Sequence, residues 1–250
     1  MPTRGFQSGG RSSYYDPLIN PAYRSGLWKS CPMLEYLSDP TIGVYLNEDF
    51  MSYDPETTNG DWVLTQATAG SAAISTTAPG TLSIDSGSTT ATQGATLQRV
   101  KSMFIPAAAK DIWAEFDVQF TGVGALSVET FIGLSELDTT LSASSANSSA
   151  NHIGWQSVTD DGILLFTGEK AGAGATRAAT TIVSATRVKL GFHVIGVTEV
   201  EQYINGVLTG TNTATANIPV VATYPSLVCQ SGGTDQPVLH CHGFKIFQLR

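Results

Sequence analysis

Two pairs of residues in this sequence have types and spacings that could support chemistry. Glu115 and Asp117 stand two residues apart, as do His240 and His242. Side chains at i and i+2 of a strand share one face of a sheet. Two carboxylates on one face are either candidates for acid–base chemistry or the solvated side of a sheet. Two histidines can ligate a transition metal, but the sequence offers no evident third ligand, so both pairs also fit the surface of a β-protein.

The elements that must position these residues are strands. From residue 41 onward, short runs of β-prone residues alternate with turn signals, and helix signals are nearly absent. The segment 112–120 alternates best, with Ile112, Phe116 and Phe120 on one parity and Glu115 and Asp117 on the other. The pattern predicts an all-β, two-sheet antiparallel sandwich with an apolar and a wet face on each strand. The Gly/Ala-rich stretch 171–179 is predicted to be a loop.

The end of the chain contains the strongest local signal. Asn205-Gly206 separates two β-prone runs, 200–204 and 207–210. A type I′ turn needs a positive φ at both central positions, which asparagine and glycine tolerate, so a hairpin is predicted here. An amphipathic strand is predicted over 242–250.

Residues 1–40 form a separate unit in this interpretation, an extended N-terminal arm before a sandwich domain at 41–250. Prolines at 17, 21, 32 and 40 exclude a long helix or a central strand. The arm is nevertheless too aromatic for a free linker. It either covers a sheet of its own domain or docks on a neighbouring subunit or another protein. The contact residues predicted for it are Tyr14, Tyr15, Tyr23, Trp28 and Tyr36.

Composition narrows the function classes. The net charge is −8 and only 14% of residues are charged, which argues against general nucleic-acid binding. No apolar run approaches the length of a membrane span, and no signal peptide is evident, so we expect synthesis in a cytoplasm and no membrane partner. Cys229 and Cys241 flank a Gly-rich turn and are either bridged across a hairpin or reduced. No cofactor is predicted.

The order of elements resembles the concanavalin A-like lectin/glucanase jelly roll in its laminin-G-like form. The similarity covers residues 44–250. It rests on Glu48-Asp49-Phe50 followed by Trp62, the segments 113–120 and 131–135, the hairpin 203–207, and the closing run 244–248. The resemblance implies a concave sheet built by the strands at 113–120 and 131–135.

This family includes glycoside hydrolases, lectins and Ca²⁺-binding domains, and each implies candidate residues here. Retaining hydrolases of the fold carry Glu-x-Asp-x-x-Glu, but Phe120 stands where the second glutamate is required, so no catalytic residues are predicted. A lectin needs aromatic side chains that stack on sugars, for which Trp113 and Trp155 are the candidates. Asp160 and Asp161 are candidates for a Ca²⁺ site at a rim loop, although a plain turn is the favoured interpretation of this pair.

The chain also resembles structural proteins of tailed bacteriophages in its Ser/Thr/Ala/Gly-rich sandwich and proline-broken aromatic arm. That resemblance implies a capsid decoration or cement protein on the exterior of the virion, made in the host cytoplasm. Its partners would be the major capsid protein and neighbouring copies of itself, in a homo-oligomer for which a trimer is favoured. The alternative is a carbohydrate-binding module, with host-surface glycans as its ligands.

Overall fold

The computed structural model describes residues 26–53, 60–67, 69–124, 127–138, 142–143, 146–147, 150–157, 162–171 and 173–250. Within these ranges the chain forms one short α-helix, α1 (Met33–Ser38), three 3-10 turns at Gly26–Trp28, Pro40–Ile42 and Thr215–Asn217, and strands. The strands are β1 (Gly43–Glu48), β2 (Trp62–Ala67), β3 (Ser71–Ile74), β4 (Leu82–Asp85), β5 (Gly94–Arg99), β6 (Ile112–Thr121), β7 (Val128–Ser135), β8 (Ser142–Ala143), β9 (Ala146–Asn147), β10 (His152–Ser157), β11 (Ile163–Lys170), β12 (Ala173–Thr181), β13 (Arg187–Ile195), β14 (Glu199–Ile204), β15 (Val207–Asn212), β16 (Tyr224–Ser231) and β17 (Val238–Leu249).

Two antiparallel sheets pack face to face. Sheet A has the strand order β15-β14-β13-β6-β17-β4-β3, and β1 also pairs with β17. Sheet B has the order β12-β11-β10-β7-β16-β5-β2, while β8 and β9 form a separate small ribbon. The prediction of an all-β, two-sheet antiparallel jelly roll is confirmed. None of the helices in the described part of the chain could span a bilayer.

The core lies between the two sheets and follows the alternation of the strands. On β6 the predicted apolar parity is buried throughout, from Ile112 to Phe120. These side chains pack against Leu134 of β7 and Trp155 of β10 in one continuous cluster. Removing this apolar surface from water is the main stabilising contribution to the fold.

The predicted hairpin is confirmed between β14 and β15. Asn205 and Gly206 have φ values of 50° and 76°, in the left-handed region that a type I′ turn requires. The Asn205 side chain also accepts a hydrogen bond from the backbone N–H of Lys189 at 3.0 Å, which ties the turn to β13.

Two expectations from the sequence are wrong. The stretch 171–179 is mostly strand, because β12 adds to the edge of sheet B along β11. In addition, the strands at 113–120 and 131–135 do not build one sheet: β6 lies in sheet A and β7 in sheet B. Both segments alternate in the same way, and alternation shows which residues face the core without showing which sheet a strand joins.

Residues 26–38, which we call the strap, form a third layer on the outer face of sheet A. The strap consists of a 3-10 turn at Gly26–Trp28 and helix α1. Its buried side chains are Leu27, Trp28, Cys31 and Met33, and they form a second apolar cluster with Trp113, Tyr203 and Phe247 of sheet A. Part of the predicted arm therefore covers a sheet of its own chain.

Candidate functional site

The outer face of sheet B is lined by polar side chains and is buried. Every second residue along each of its strands points into the core. The residues between them point outward, and the register aligns them into rows across the sheet. We call the resulting set the polar face. Its members are Gln98, Thr96, Glu129, Ser135, His152, Gln156, Thr167, Glu169, Ser226 and Gln230, all buried.

The centre of the polar face is a floor of glycine and phenylalanine. Gly133 and Gly154 are direct register partners on β7 and β10. The ring of Phe131 lies over both of them, since a Cβ at Gly133 would be 3.1 Å from Phe131 Cζ and a Cβ at Gly154 would be 2.9 Å from it. The ring meets His152 edge-on, with the centroids 5.3 Å apart. Only a residue without a side chain leaves room for the ring in this position.

Gln98 fixes one end of the polar face. Its Nε2 donates to Ser135 Oγ at 3.0 Å, to Ser226 Oγ at 3.0 Å and to the carbonyl oxygen of Glu136 at 2.9 Å. Its Oε1 accepts from the backbone N–H of Asp138 at 2.9 Å. One amide thus joins three strands to the loop that follows β7, so hydrogen bonds cross-link this end of the face.

Three buried polar atoms of this face have no hydrogen-bond partner among the described residues: His152 Nε2, Gln156 Nε2 and Gln230 Oε1. His152 Nδ1 lies 2.8 Å from the carbonyl oxygen of Ala150, so it donates, and Nε2 is the acceptor of a neutral ring. Burial lowers the pKa of His152 and raises the pKa of Glu169. A buried polar atom without a partner is costly, and such atoms are candidates for contact with a ligand or an ordered water.

The carboxylates of the polar face do not form a glycosidase pair. Glu169 is the register partner of His152, and Glu129 is the register partner of Gln230. The two glutamates lie two strands and three rows of residues apart, which places them roughly 20 Å from each other. In both retaining and inverting glycosidases, the two catalytic carboxyl groups lie within about 10 Å of each other. The described part of this face thus has no such pair.

The carboxylates singled out from the sequence lie on the opposite outer face of the molecule, that of sheet A. Asp117 forms a bidentate ion pair with Arg187, with Nη2 and Oδ2 at 2.7 Å. Glu115 is buried and pairs with Lys245 at 3.1 Å. Each carboxylate therefore has a cationic partner on a neighbouring strand. The face of β6 that was predicted to be solvent-exposed is only partly so, because the strap covers its first half.

The two tryptophans predicted to contact glycans cannot do so in this structure. Trp155 is 0% exposed and faces the core, where it meets Phe166 edge-on at 5.3 Å. Trp113 is 2% exposed beneath the strap, and its Nε1 donates to Ser30 Oγ at 3.2 Å. Stacking on a sugar requires an accessible ring. The prediction is wrong for both residues, since a sequence does not reveal what covers an outward-facing side chain.

Of the arm residues predicted to contact a partner, the structure describes two, and both contact their own chain. Trp28 is 7% exposed, and Lys245 Nζ lies 4.6 Å above its ring while also pairing with Glu115. Tyr36 meets Phe247 edge-on at 5.4 Å and Tyr45 at 6.1 Å. These contacts fit the alternative in which the arm covers its own sheet. Tyr14, Tyr15 and Tyr23 lie outside the described residues.

A buried histidine network lies under the strap. His193, on β13, is 5% exposed and stacks on Trp113 with the centroids 4.4 Å apart and the planes 15° from parallel. Its Nδ1 lies 3.1 Å from Glu201 Oε2 and its Nε2 lies 3.3 Å from Asp111 Oδ2. The Tyr203 hydroxyl donates to the same Glu201 oxygen at 2.7 Å. Nothing in the sequence singles out His193, because its partners lie at the start of β6 and on β14, which only the fold places on either side of β13.

The candidate metal ligands are not brought together. His240 uses both ring nitrogens, on the hydroxyls of Ser83 and Thr121 at 2.9 Å each, and His242 Nδ1 bonds to the hydroxyl of Thr81 at 3.0 Å. In the part of the chain that the structure describes, no three His, Cys, Asp or Glu side chains lie close enough to hold a metal. Asp160 and Asp161 lie outside that part.

Cys229 and Cys241 are reduced and fully buried in the core, on strands of different sheets. The hairpin that would have placed them opposite each other does not exist, because β16 belongs to sheet B and β17 to sheet A. Burial raises the pKa of both thiols to about 12, so they are unreactive apolar side chains.

The architecture of the chain is shared with solved structures of other proteins. The fold is that of the concanavalin A-like lectins and glucanases. A β-glucanase from Bacillus licheniformis superposes with a TM-score of 0.56 at 11% identity, over 83% of this chain and 97% of that chain. Arcelin-5, a lectin-like defense protein from Phaseolus vulgaris, gives a TM-score of 0.56 at 9% identity, over 84% and 100%. A protein of unknown function from Shewanella oneidensis MR-1 gives 0.57 at 16% identity, over 88% and 94%.

The sequence matches no family model and no curated protein. At identities this low, the similarity to solved structures establishes the fold alone. Glucanases and lectins are both among these neighbours, so the architecture is compatible with carbohydrate binding or with a structural role.

Proposed function

We propose that this chain is a non-catalytic structural protein that attaches to a larger assembly, in the specific form of a capsid decoration protein of a tailed bacteriophage. One observation carries the proposal: in the described part of the chain, much of the outer surface of both sheets is covered. The polar face of sheet B is buried, and the strap covers the outer face of sheet A around Trp113 and Phe247. Where its sheet faces are covered, the sandwich offers its edges, loops and N-terminal arm for contact.

The attachment would proceed through the part of the arm that precedes the strap. The strap anchors the root of the arm on sheet A through Trp28 and Tyr36, so the contact residues proposed for the partner are Tyr14, Tyr15 and Tyr23. Binding only to the assembled shell would stabilise that shell by mass action. Copies arranged as a homotrimer on the virion exterior would multiply weak contacts into avidity.

The test is co-sedimentation of the purified chain with tailed-phage capsid shells that lack their decoration protein. The informative variant replaces Tyr14, Tyr15 and Tyr23 with alanine and leaves the strap intact. We expect the wild type to sediment with shells and the triple variant to bind at least about tenfold more weakly, since aromatic contacts dominate interfaces. Equal sedimentation of both proteins, or none of the wild type, would refute the proposed attachment.

A second function, binding of a glycan on the polar face, is favoured by the three buried polar atoms without partners, and it requires a conformation in which this buried face is uncovered. Amide and imidazole groups beside an apolar ring are the groups that orient sugars. A glycan array with the wild type and Gln156→Ala tests this, with Gln66→Ala as the control because Gln66 binds only a local carbonyl oxygen. Binding lost in Gln156→Ala alone would favour the glycan-binding function.

A further inference from the structure

The two ring nitrogens of His193 both face carboxylate oxygens. Nδ1 lies 3.1 Å from Glu201 Oε2 and Nε2 lies 3.3 Å from Asp111 Oδ2. An ionised carboxylate only accepts hydrogen bonds, so both nitrogens must donate, and a histidine with two N–H donors is an imidazolium. With both carboxylates ionised, the two hydrogen bonds of this buried ring are complete only when both of its nitrogens carry a proton.

This network supports the strap through two aromatic residues. The imidazolium stacks on Trp113, whose Nε1 donates to Ser30 of the strap. Glu201 accepts from the hydroxyl of Tyr203, and Tyr203 belongs to the apolar cluster that contains Leu27 of the strap. Both aromatic side chains thus lie between the histidine network and the strap.

We propose that His193 is a proton-dependent clamp that holds residues 26–38 on sheet A. When the ring loses its proton, one nitrogen becomes an acceptor facing a carboxylate, and the attraction between a cation and the Trp113 ring is lost. The strap should then detach more often, and this would change how the arm is presented to a partner.

The groups that face His193 define the pH window of the clamp. Asp111 lies before β6 and also accepts from the N–H of Gly196, while Glu201 and Tyr203 lie on β14. The strap contributes the hydroxyl of Ser30, which bonds to Trp113. The clamp should hold where the carboxylates are ionised and the imidazole is protonated. It should weaken when the ring loses its proton, and also when either carboxylate gains one.

Cys31 provides a reporter within the strap. Its reduced thiol is buried in the cluster between the strap and sheet A. The other two thiols lie in the core of the sandwich. Pulsed maleimide labelling of the full chain, followed by mass spectrometry of the Cys31 peptide, measures strap detachment at each pH. Dividing each labelling rate by that of the urea-unfolded chain at the same pH corrects for the pH dependence of the thiol's own reactivity. We expect normalised labelling to rise about tenfold between slightly acidic and mildly alkaline pH, the effect of losing one charge-assisted hydrogen bond.

Three variants make the measurement specific. His193→Gln should show raised labelling at slightly acidic pH and no rise with pH. Glu201→Gln, a second variant if the first does not fold, should move the rise to lower pH because one carboxylate no longer favours the imidazolium. His240→Gln is the control, since His240 bonds only to hydroxyls and lies away from the strap. Labelling of the wild type that does not depend on pH, or a wild-type profile in both His193→Gln and Glu201→Gln, would overturn the proposal.

Discussion

At the scale of single residues, the floor of the polar face depends on the absence of two Cβ atoms. A Cβ at Gly154 would lie 2.5 Å from the carbonyl oxygen of Ile132 and 2.9 Å from Phe131 Cζ. The backbone of β7 cannot yield without disturbing the ladder, so the strain falls on sheet B. We predict that Gly154→Ala lowers the free energy of unfolding by about 1–3 kcal/mol, the usual cost of overpacking. Urea unfolding measures this change.

The matched control for that substitution is Gly124→Ala. A Cβ there would meet nothing nearer than Asp235 Oδ1 at 3.9 Å. A surface change without close contacts is expected to stay within about 0.5 kcal/mol of the wild type. Equal stability of the two variants would mean that Phe131 and the strands move aside at little cost.

His152 gives a prediction for the dependence of stability on pH. Burial lowers its pKa in the folded chain, so below the unfolded value of 6.5 the unfolded chain binds a proton that the folded chain does not. Stability therefore falls as pH decreases from 7 through 6.5, with a slope of at most about 1.4 kcal/mol per pH unit for one proton. His152→Gln should flatten the curve of unfolding free energy against pH between 7 and 5. An unchanged slope would show that His152 is protonated in the folded chain.

At the scale of elements, the sequence predicted what depends on local pattern. The alternation of β6 placed its apolar residues in the core, and Asn205-Gly206 located the hairpin. The edge strand β12 was missed because its Ala, Gly and Thr residues do not alternate in polarity. The assignment of β6 and β7 to one sheet failed because sheet membership follows from long-range pairing, on which two alternating segments carry no information.

The strap is an element whose attachment combines charge and aromatic contacts. Lys245 bridges the buried carboxylate of Glu115 and the ring of Trp28. Lys245→Met keeps the apolar stem and leaves Glu115 buried without its cation. Lys245 is partly exposed, so we expect a loss of about 1–3 kcal/mol in unfolding free energy, below the range for a fully buried pair. Lys110→Met, at an exposed position without an assigned ion pair, serves as the control. Urea and thermal unfolding compare the free energies of unfolding of the two variants.

At the scale of the whole molecule, much less of the candidate site than of the fold could be predicted. The sequence directed attention to Trp113 and Trp155 because exposed tryptophans bind sugars, but exposure depends on layers that only the folded chain brings together. The polar face was not anticipated either. Its members, such as Gln98 and His152, are isolated residues on separate strands, and each fits an ordinary solvated position until the register places them side by side.

The three layers lead to a prediction about truncation. A chain that starts at Thr41 loses the strap and exposes Trp113, Tyr203 and Phe247 to water. Aromatic side chains bury about 150–250 Å² each, so the loss exceeds about 5 kcal/mol, which is comparable to the whole stability of many domains. We expect this chain to aggregate or to unfold without a cooperative transition.

A chain that starts at Gly26 retains the strap and should unfold as cooperatively as the full chain. Light scattering after size-exclusion chromatography and urea unfolding of the two truncated chains test the difference. A cooperative, soluble chain from Thr41 would mean that the strap is an accessory covering, which sheet A can lose without cost. Failure of the Gly26 chain would assign a structural role to residues 1–25 as well, and the loss of partner binding on deleting them would then say nothing about attachment. The comparison therefore decides whether the arm is divided at residue 26, with a structural root and a part available for binding.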